Sequence, residues 1–256
     1  MINTDNSIKV EIMRLGGKKL HSILENLLNI AKPGVSLIDI ENQAQRHIKT
    51  QGGSPSFMTV DGYHWATCLC VNDEVVHGIP RSYILKESDL LTIDIGLLYQ
   101  GFHTDTAKTI IISQTPQKNI IQYPFLISFL GVGEKTLEAA ISKVLPGNRI
   151  GHISEAIQQN IEKAGFSVVR SLVGHGIGRQ LHEDIQIPGF LNGSIESTEI
   201  LKTGMTIAIE VIYAQGKGSV VYANNDGWTI STRDQTFSAV FEHTVVVTSN
   251  GVEILT

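Results

Sequence analysis

PGVSLIDIENQAQRHIKTQG, residues 33–52, returns as PGNRIGHISEAIQQNIEKAG at residues 146–165. Pro33-Gly34 and Pro146-Gly147, Leu37 and Ile150, Ile40 and Ile153, Ala44 and Ile157, Ile48 and Ile161, Gly52 and Gly165 all keep one offset, 33 to 146, or 113 residues. Further on, Leu85-Lys86 leading to Thr92-Ile93-Asp94 is matched by Leu201-Lys202 leading to Ala208-Ile209-Glu210, 94 to 210, or 116 residues. Pro-Gly between helices is common on its own. A register held over five positions, four apolar and a closing glycine, makes coincidence the weaker account. Each half therefore reads as helix, helix, then antiparallel strands, with halves at about 10–115 and 120–256. Two such halves sharing a sheet, with helices on one side, form an α+β arrangement.

The elements follow from local pattern. Val10–Ile30 has helical apolar spacing and stops at Lys32-Pro33-Gly34. Ser36 caps a second helix to about Gln51. Cys68–Val76 reads as a strand, and Leu90–Tyr99 with Phe102–Ile112 as a hairpin turning at Gln100-Gly101. Pro124 opens a third helix to about Leu145, whose apolar run Phe125 to Val132 is a face that packs on the sheet, and Ile150 a fourth to about Ala164. From Val168 the chain is strand and turn, with strands at Thr206–Tyr213, Gly218–Tyr222, Trp228–Thr232 and Phe241–Thr248.

Composition narrows the function. In 256 residues, 42% apolar and 18% charged describe a globular chain rather than a disordered one. A net charge of −5, with no clustering of Lys and Arg, argues against a nucleic-acid or anionic-membrane binder. No apolar run reaches the ~18 residues of a spanning helix. Met1 to Lys9 reads as a short polar extension without a signal-peptide core, ahead of a single domain over residues 10–256. The two cysteines, Cys68 and Cys70, are expected on opposite faces of a strand and unpaired, which suits a reducing, cytoplasmic setting.

Acids stand where a sheet needs apolar residues. Asp94 interrupts Leu91-Thr92-Ile93-Asp94-Ile95, Asp105 lies in His103-Thr104-Asp105-Thr106, Glu210 in Ile207-Ala208-Ile209-Glu210-Val211, and Glu242 in Val240-Phe241-Glu242-His243. Asp and Glu are depleted in strands and cost several kcal/mol to bury unpaired. One such acid is readily an edge charge that blocks aggregation; four, two per repeat, are not. Four carboxylates drawn together need cations, since like charges otherwise force some to protonate. Oxygen-rich sites with an imidazole suit paired divalent metals, ~3.5–4 Å apart when they share an oxygen. The imidazole candidate is in Val173-Gly174-His175-Gly176-Ile177-Gly178-Arg179-Gln180-Leu181-His182. That glycine-rich run lacks the Lys-Ser/Thr of a phosphate loop.

Here the sequence resembles the type I methionine aminopeptidases, from about Val10 to the C-terminus. The resemblance is carried by Val71-Asn72-Asp73-Glu74-Val75-Val76-His77-Gly78-Ile79-Pro80, by Asp94 with Gly101-Phe102-His103-Thr104-Asp105-Thr106, and by the Gly174 to His182 stretch. Gly204-Met205 to Glu210, Asp226-Gly227-Trp228-Thr229 and Ser238 to Val247 complete it. It implies the pita-bread fold and removal of the initiator methionine from nascent chains with a small second residue. The enzyme would be a cytoplasmic monomer in transient contact with the ribosome. It also implies two divalent ions (Co, Mn, Fe or Zn) held by Asp94, Asp105, His175, Glu210 and Glu242. Asp105 and Glu242 bridge them, Asp94 holds one, and His175 with Glu210 the other. By the same resemblance the ions would supply a hydroxide for attack on the first peptide bond, Glu210 would move the proton, His77 would contact the scissile amide and His182 its carbonyl oxygen. Phe57, Tyr63, Cys68 and Trp228 fall where the family lines its methionine pocket. Val60, Asp61 and Leu181 stand where many members have Tyr, His and Phe, so the pocket has its own shape.

Two other readings compete. An Xaa-Pro peptidase of the same fold has the same five ligands, but usually a long domain before them, and Asp94 comes too early for that. Only 27 residues separate His182 from Glu210, 183 to 209, which leaves no room for the insertion of the type II enzymes. A non-catalytic peptide-binding relative should have lost ligands, and none is missing. His21, His47, His64 and His152 receive no function; His103 and His243 are read as neighbours that support the ligands beside them.

Overall fold

The structure, a computed structural model, describes residues 4–115 and 122–256, with the side chains of residues 4–6 excepted. In the first half, helices α1 (Thr4–Ile30) and α2 (Leu37–Thr50) lead to strands β1 (Ser54–Pro55), β2 (Thr67–Val71) and β3 (Glu74–Val76), then to β4 (Leu90–Tyr99) and β5 (Phe102–Ile111). In the second, helices α3 (Pro124–Ile141) and α4 (Ile150–Lys163) precede strands β6 (Ser167–Val168), β7 (Val173–Gly176) and β8 (Glu183–Pro188). Strands β9 (Thr206–Ala214), β10 (Val220–Tyr222), β11 (Ile230–Thr232), β12 (Ser238–Thr248) and β13 (Gly251–Ile254) complete it. One ten-stranded sheet runs β1-β4-β5-β12-β9-β7-β8, with β2 on β4, β6 on β9 and β13 on β12; β10, β11 and β3 form a small second sheet.

The repeat is visible bond by bond. Gly34 N–H donates to Leu85 O and Leu85 N–H to Val35 O; Gly147 N–H donates to Leu201 O and Leu201 N–H to Asn148 O. The turn glycines agree in conformation, φ 93° at Gly34 and 91° at Gly147, a region open to glycine at little cost. Ser36 accepts the Asp39 N–H and closes a capping box on α2. At the hairpin, Gln100 and Gly101 both take positive φ, 49° and 83°, which suits a tight antiparallel turn.

Alternation divides each central strand between two faces. Odd positions of β4, Leu91, Ile93, Ile95 and Leu97, pack under Leu20, Ile23 and Leu27 of α1 and Ile40, Ala44 and Ile48 of α2. In the second half Ile209, Val211, Tyr213 and Phe241 pack under Phe129, Leu137, Ile153, Ile157 and Ile161. Each fully buried Leu, Ile or Phe contributes roughly 1.5–3 kcal/mol, so these two clusters hold the sheet to its helices. The alternate positions face the other way, even-numbered on β4, β9 and β12 and odd-numbered on β5, and that is where the acids lie.

Several boundaries move. The first helix starts at Thr4 rather than Val10, so residues 4–9 extend α1 instead of preceding it as a separate segment; residues 1–3 lie outside the described residues. The join between halves falls largely on residues 116–121, also outside them. The single strand expected over Cys68–Val76 is two, β2 and β3, because Asn72 takes φ 60° and turns the chain. Cys68 and Cys70 are free and buried, but on one face, not two: they are i and i+2 on β2, opposite Asp94 and Thr92.

Candidate metal centre and substrate cavity

Sheet register, not sequence proximity, assembles the acids. Across four neighbouring strands Asp94 pairs with Ala107, Ala107 with Glu242, and Glu242 with Glu210. Residues opposite one another in an antiparallel ladder share a face, so one rung carries three carboxylates and a methyl. Asp105 lies two residues before Ala107, and His175 pairs with Ala208, two before Glu210. With period two, both land on the same face one pleat along. Gly174 permits this approach, since a Cβ there would lie 2.5 Å from the Ala208 carbonyl oxygen.

The backbone beneath is cross-tied. Asp105 N–H donates to the Thr244 hydroxyl at 2.9 Å, that hydroxyl donates to Asp105 O at 2.8 Å, and the Thr106 hydroxyl donates to Glu242 O at 2.9 Å. These bonds lock β5 to β12 where Asp105 and Glu242 project. Asp105, His175 and Glu242 are buried; Asp94 and Glu210 are half-buried. Asp105, His175 and Glu242 each bring one ligand atom to within 4.8 Å of the others. His175 Nε2 lies 3.7 Å from Glu210 Oε1. Its Nδ1 stands 2.9 Å from Gly176 O; a carbonyl only accepts, so Nδ1 carries the proton and Nε2 offers its lone pair to the acids.

This arrangement is electrostatically incomplete without a cation. Asp94 Oδ1 and Glu242 Oε1 are buried with no hydrogen-bond partner, an expensive condition for charged oxygens. Burial first, then Asp105 and Glu210, raise Asp94 well above the carboxylate range; burial, Asp105 and Glu210 do the same to Glu242. Burial pushes Asp105 up to about 7. Burial and Asp105 push Glu210 up to about 8. Burial and His182 lower His175 to about 4, keeping its imidazole neutral. Four crowded carboxylates, two orphaned oxygens and a neutral imidazole fit a divalent cation site of mixed O/N donors.

The same face opens into a cavity of about 530 Å³ lined by all five of these residues and by His77, His182, Phe57, Tyr63, Cys68 and Trp228. His77, held at φ 56°, meets Trp228 edge-on at 6.5 Å. His182 stands edge-on to His175 at 4.4 Å. Burial lowers His77 and His182, with His182 adding to the effect on His77. Tyr63 is the hub of the apolar wall: its ring meets Phe57 at 6.4 Å and Trp228 at 5.1 Å. Its hydroxyl donates to Thr67 O at 2.8 Å and approaches Cys68 Sγ at 3.2 Å. Val60 and Leu181 also line the cavity, whereas Asp61 is exposed.

Two expected neighbours do not line the cavity. His243 follows Glu242 and so projects to the helix face, where Nδ1 pairs with the Thr256 hydroxyl at 3.1 Å. His103 Nδ1 is taken by Ser56 Oγ. Conversely, Ser171, Glu183, Asp184 and Gln186 line the cavity and were not read from the sequence. Gln186 arrives only through its pairing with His175.

A sheet face that gathers buried acids and a neutral imidazole beside an apolar pocket defines a metal-dependent hydrolase of pita-bread architecture. The pattern described as metallopeptidase family M24 matches residues 11–249, and the chain belongs to that family. Methionine aminopeptidase 1 of Bacillus subtilis is 40% identical over 245 residues, covering 96% of this chain and 95% of that one. The methionine aminopeptidase of Clostridium perfringens is 37% identical over 100% of this chain and 99% of its own. The crystal structure of a Thermotoga maritima methionine aminopeptidase superposes with a TM-score of 0.90 at 38% identity, covering 100% and 99% of the two chains. Within the family, then, the chain groups with methionine aminopeptidases.

Proposed function

We propose that this chain releases N-terminal methionine from peptides and nascent proteins whose second residue is small. The observation that carries this reading is one cavity lined both by the acids and His175 and by Phe57, Tyr63, Cys68 and Trp228. An apolar and aromatic pocket suits a thioether, and the acids beside it mark where the first peptide bond lies.

Asp94, Asp105, His175, Glu210 and Glu242 would hold the divalent cations, with Asp105 and Glu242 common to both if two are bound. When bound, these cations supply an activated water and positive charge at the carbonyl oxygen. The protein's residues do the rest. Glu210 takes the water's proton on a carboxylate oxygen and passes it towards the leaving amine. His182, neutral and lining the cavity, donates an N–H to the carbonyl oxygen as it gains charge. His77 orients the scissile amide against Trp228. Val60 and Leu181 leave the pocket wider than aromatic residues would. Cytoplasmic location, a monomeric state and passing contact with the ribosome extend the same resemblance; among the described residues no helix is long and apolar enough to cross a membrane.

The test is hydrolysis of Met-Ala-Ser against Ala-Pro-Ala, each with chelator and with added Mn²⁺ or Co²⁺. The expected result is metal-dependent methionine release, abolished by Glu210→Ala. Cleavage of the proline peptide alone overturns the reading in favour of an Xaa-Pro peptidase. Peptide binding without divalent-ion binding or turnover overturns it in favour of a non-catalytic relative.

A further inference from the structure

The face that carries the proposed ligands continues past His175. Gln186 is its partner across β7 and β8, so the Gln186 side chain stands beside the imidazole. Strand β8 ends the sheet and, among the described residues, pairs with β7 alone. Its residues alternate: Ile187 is fully buried and Ile185 packs on the helix-side core, while Asp184 and Gln186 are exposed. Both of these line the substrate cavity. Both also line a second groove of about 430 Å³, bounded by Ser154, Phe190, Asn192 and Glu199. The two spaces therefore meet across the outer edge of β8.

Charge is one-sided along this path. Glu183 and Asp184 line the cavity and Glu199 lines the groove. Among the described residues no Lys or Arg lines either space. Lys9 and the Arg179 N–H face the Glu183 carboxylate, and the Arg149 guanidinium is turned to the Thr198 carbonyl oxygen, which leaves Asp184 and Glu199 as the carboxylates open to a ligand. An unpaired strand edge offers its N–H and C=O groups to any extended chain laid beside it. At ~3.3 Å per residue, a strand the length of β8 serves about five or six residues.

We propose that the substrate beyond its second residue is bound as an added strand along the outer edge of β8, with the acidic rim selecting Lys or Arg at the third to sixth positions. This rests on the aminopeptidase reading, which fixes the first residue among the acids and makes the cavity mouth the chain's exit. The occupant is thus the substrate's own tail, a cationic extended peptide. Main-chain bonds to β8 supply sequence-independent affinity, and Asp184 and Glu199 supply the preference for positive charge.

The experiment compares kcat/KM for the amides of Met-Ala-Ser, Met-Ala-Ser-Lys-Val-Lys and Met-Ala-Ser-Glu-Val-Glu on the metal-loaded enzyme. A fourth substrate is the lysine hexapeptide N-methylated on its fourth and fifth backbone nitrogens. The lysine hexapeptide is expected to exceed the glutamate one by about fivefold, since an exposed charge pair gives up to about that factor, and the gap should shrink as salt rises. N-methylation should return the lysine peptide to the tripeptide's value, with the change in KM. Asp184→Lys and Glu199→Lys should each invert or erase the lysine-to-glutamate ratio, a readout normalised within each variant and so insensitive to general loss of activity. Equal rates for the three unmethylated peptides overturn the proposal, as does a length advantage that survives N-methylation. Loss of methionine release from the tripeptide itself is failure of the parent reading, and the control reports it separately.

Discussion

The two halves of the chain share a backbone plan and divide the chemistry unequally. In the second half the two carboxylates face each other on one rung, Glu210 opposite Glu242. In the first half Asp94 faces Ala107, and the second acid, Asp105, stands a pleat away opposite Gly96. The corresponding strands differ too: β2 brings Cys68 and Cys70 to the site face, while β7 brings His175. The loops complete the division. The first half's connection to β2 carries Phe57 and Tyr63, so it builds the substrate wall; the second half's connection after β7 carries His182, so it builds the polar one. A duplicated scaffold thus gives symmetric strand positions, and single substitutions on its rungs turn symmetry into an asymmetric site.

The largest effect expected from breaking that asymmetry is at the shared centre. Glu242→Gln removes a carboxylate that reaches both halves, and metal affinity should fall by more than about 100-fold, beyond the loss from an outer-shell change; isothermal titration with Mn²⁺ measures it. Unchanged affinity would place the cation elsewhere. Next comes the methyl between Asp94 and Glu242. Ala107→Val adds bulk on the crowded rung, where overpacking costs about 1–3 kcal/mol, and methionine release should drop about tenfold or more while the helix-side packing and circular dichroism stay as they are. Equal turnover would show that the rung has slack.

Removing metal should expose the carboxylates' electrostatics in the halves' shared centre. Asp105 at about 7 and Glu210 at about 8 lie above the unfolded range near 4. Between those values the folded, metal-free chain binds more protons than the unfolded chain, so its stability is present at low pH and is lost as pH rises through about 7 to 8. Chelated protein should therefore melt several degrees lower at about pH 8.5 than at about pH 5.5, with a smaller change when metal-loaded. A chelated form that gains stability over that rise contradicts the assignment. The smallest effects test the symmetry itself. Gly34 and Gly147 share φ near 92°, 93° and 91°, with open space around each. Gly34→Ala and Gly147→Ala should each cost about 1–2 kcal/mol, equal within about 0.5 kcal/mol for such independent sites, by urea denaturation. A large difference would mean that the halves bear load unequally at these turns.

Much of this was legible in the chain. The 33–52 and 146–165 repeat fixed the helices because apolar period and glycine stops are local properties, and the same positions are the buried ones, Leu37, Ile40, Ala44 and Ile48 against Ile150, Ile153, Ile157 and Ile161. The acids announced themselves because a carboxylate inside a β-branched run contradicts its surroundings. Other features were out of reach. The turn at Asn72 that splits β2 from β3 depends on the backbone's tertiary path. His103 and His243 adjoin ligands in sequence, yet Ser56 and Thr256 claim them.

By itself, then, the sequence determined two related halves, an α+β fold, and a set of acids and histidines that local structure cannot accommodate without a cation. Which of them meet was decided by the sheet. Register across β4, β5, β12, β9 and β7 converts separations of tens to more than a hundred residues into neighbouring rungs on one face, and it also brings Gln186, silent in the sequence, beside His175. The physical reason is that side-chain direction alternates with period two, so each strand's own pattern names the face, while only pairing between strands sets what stands opposite.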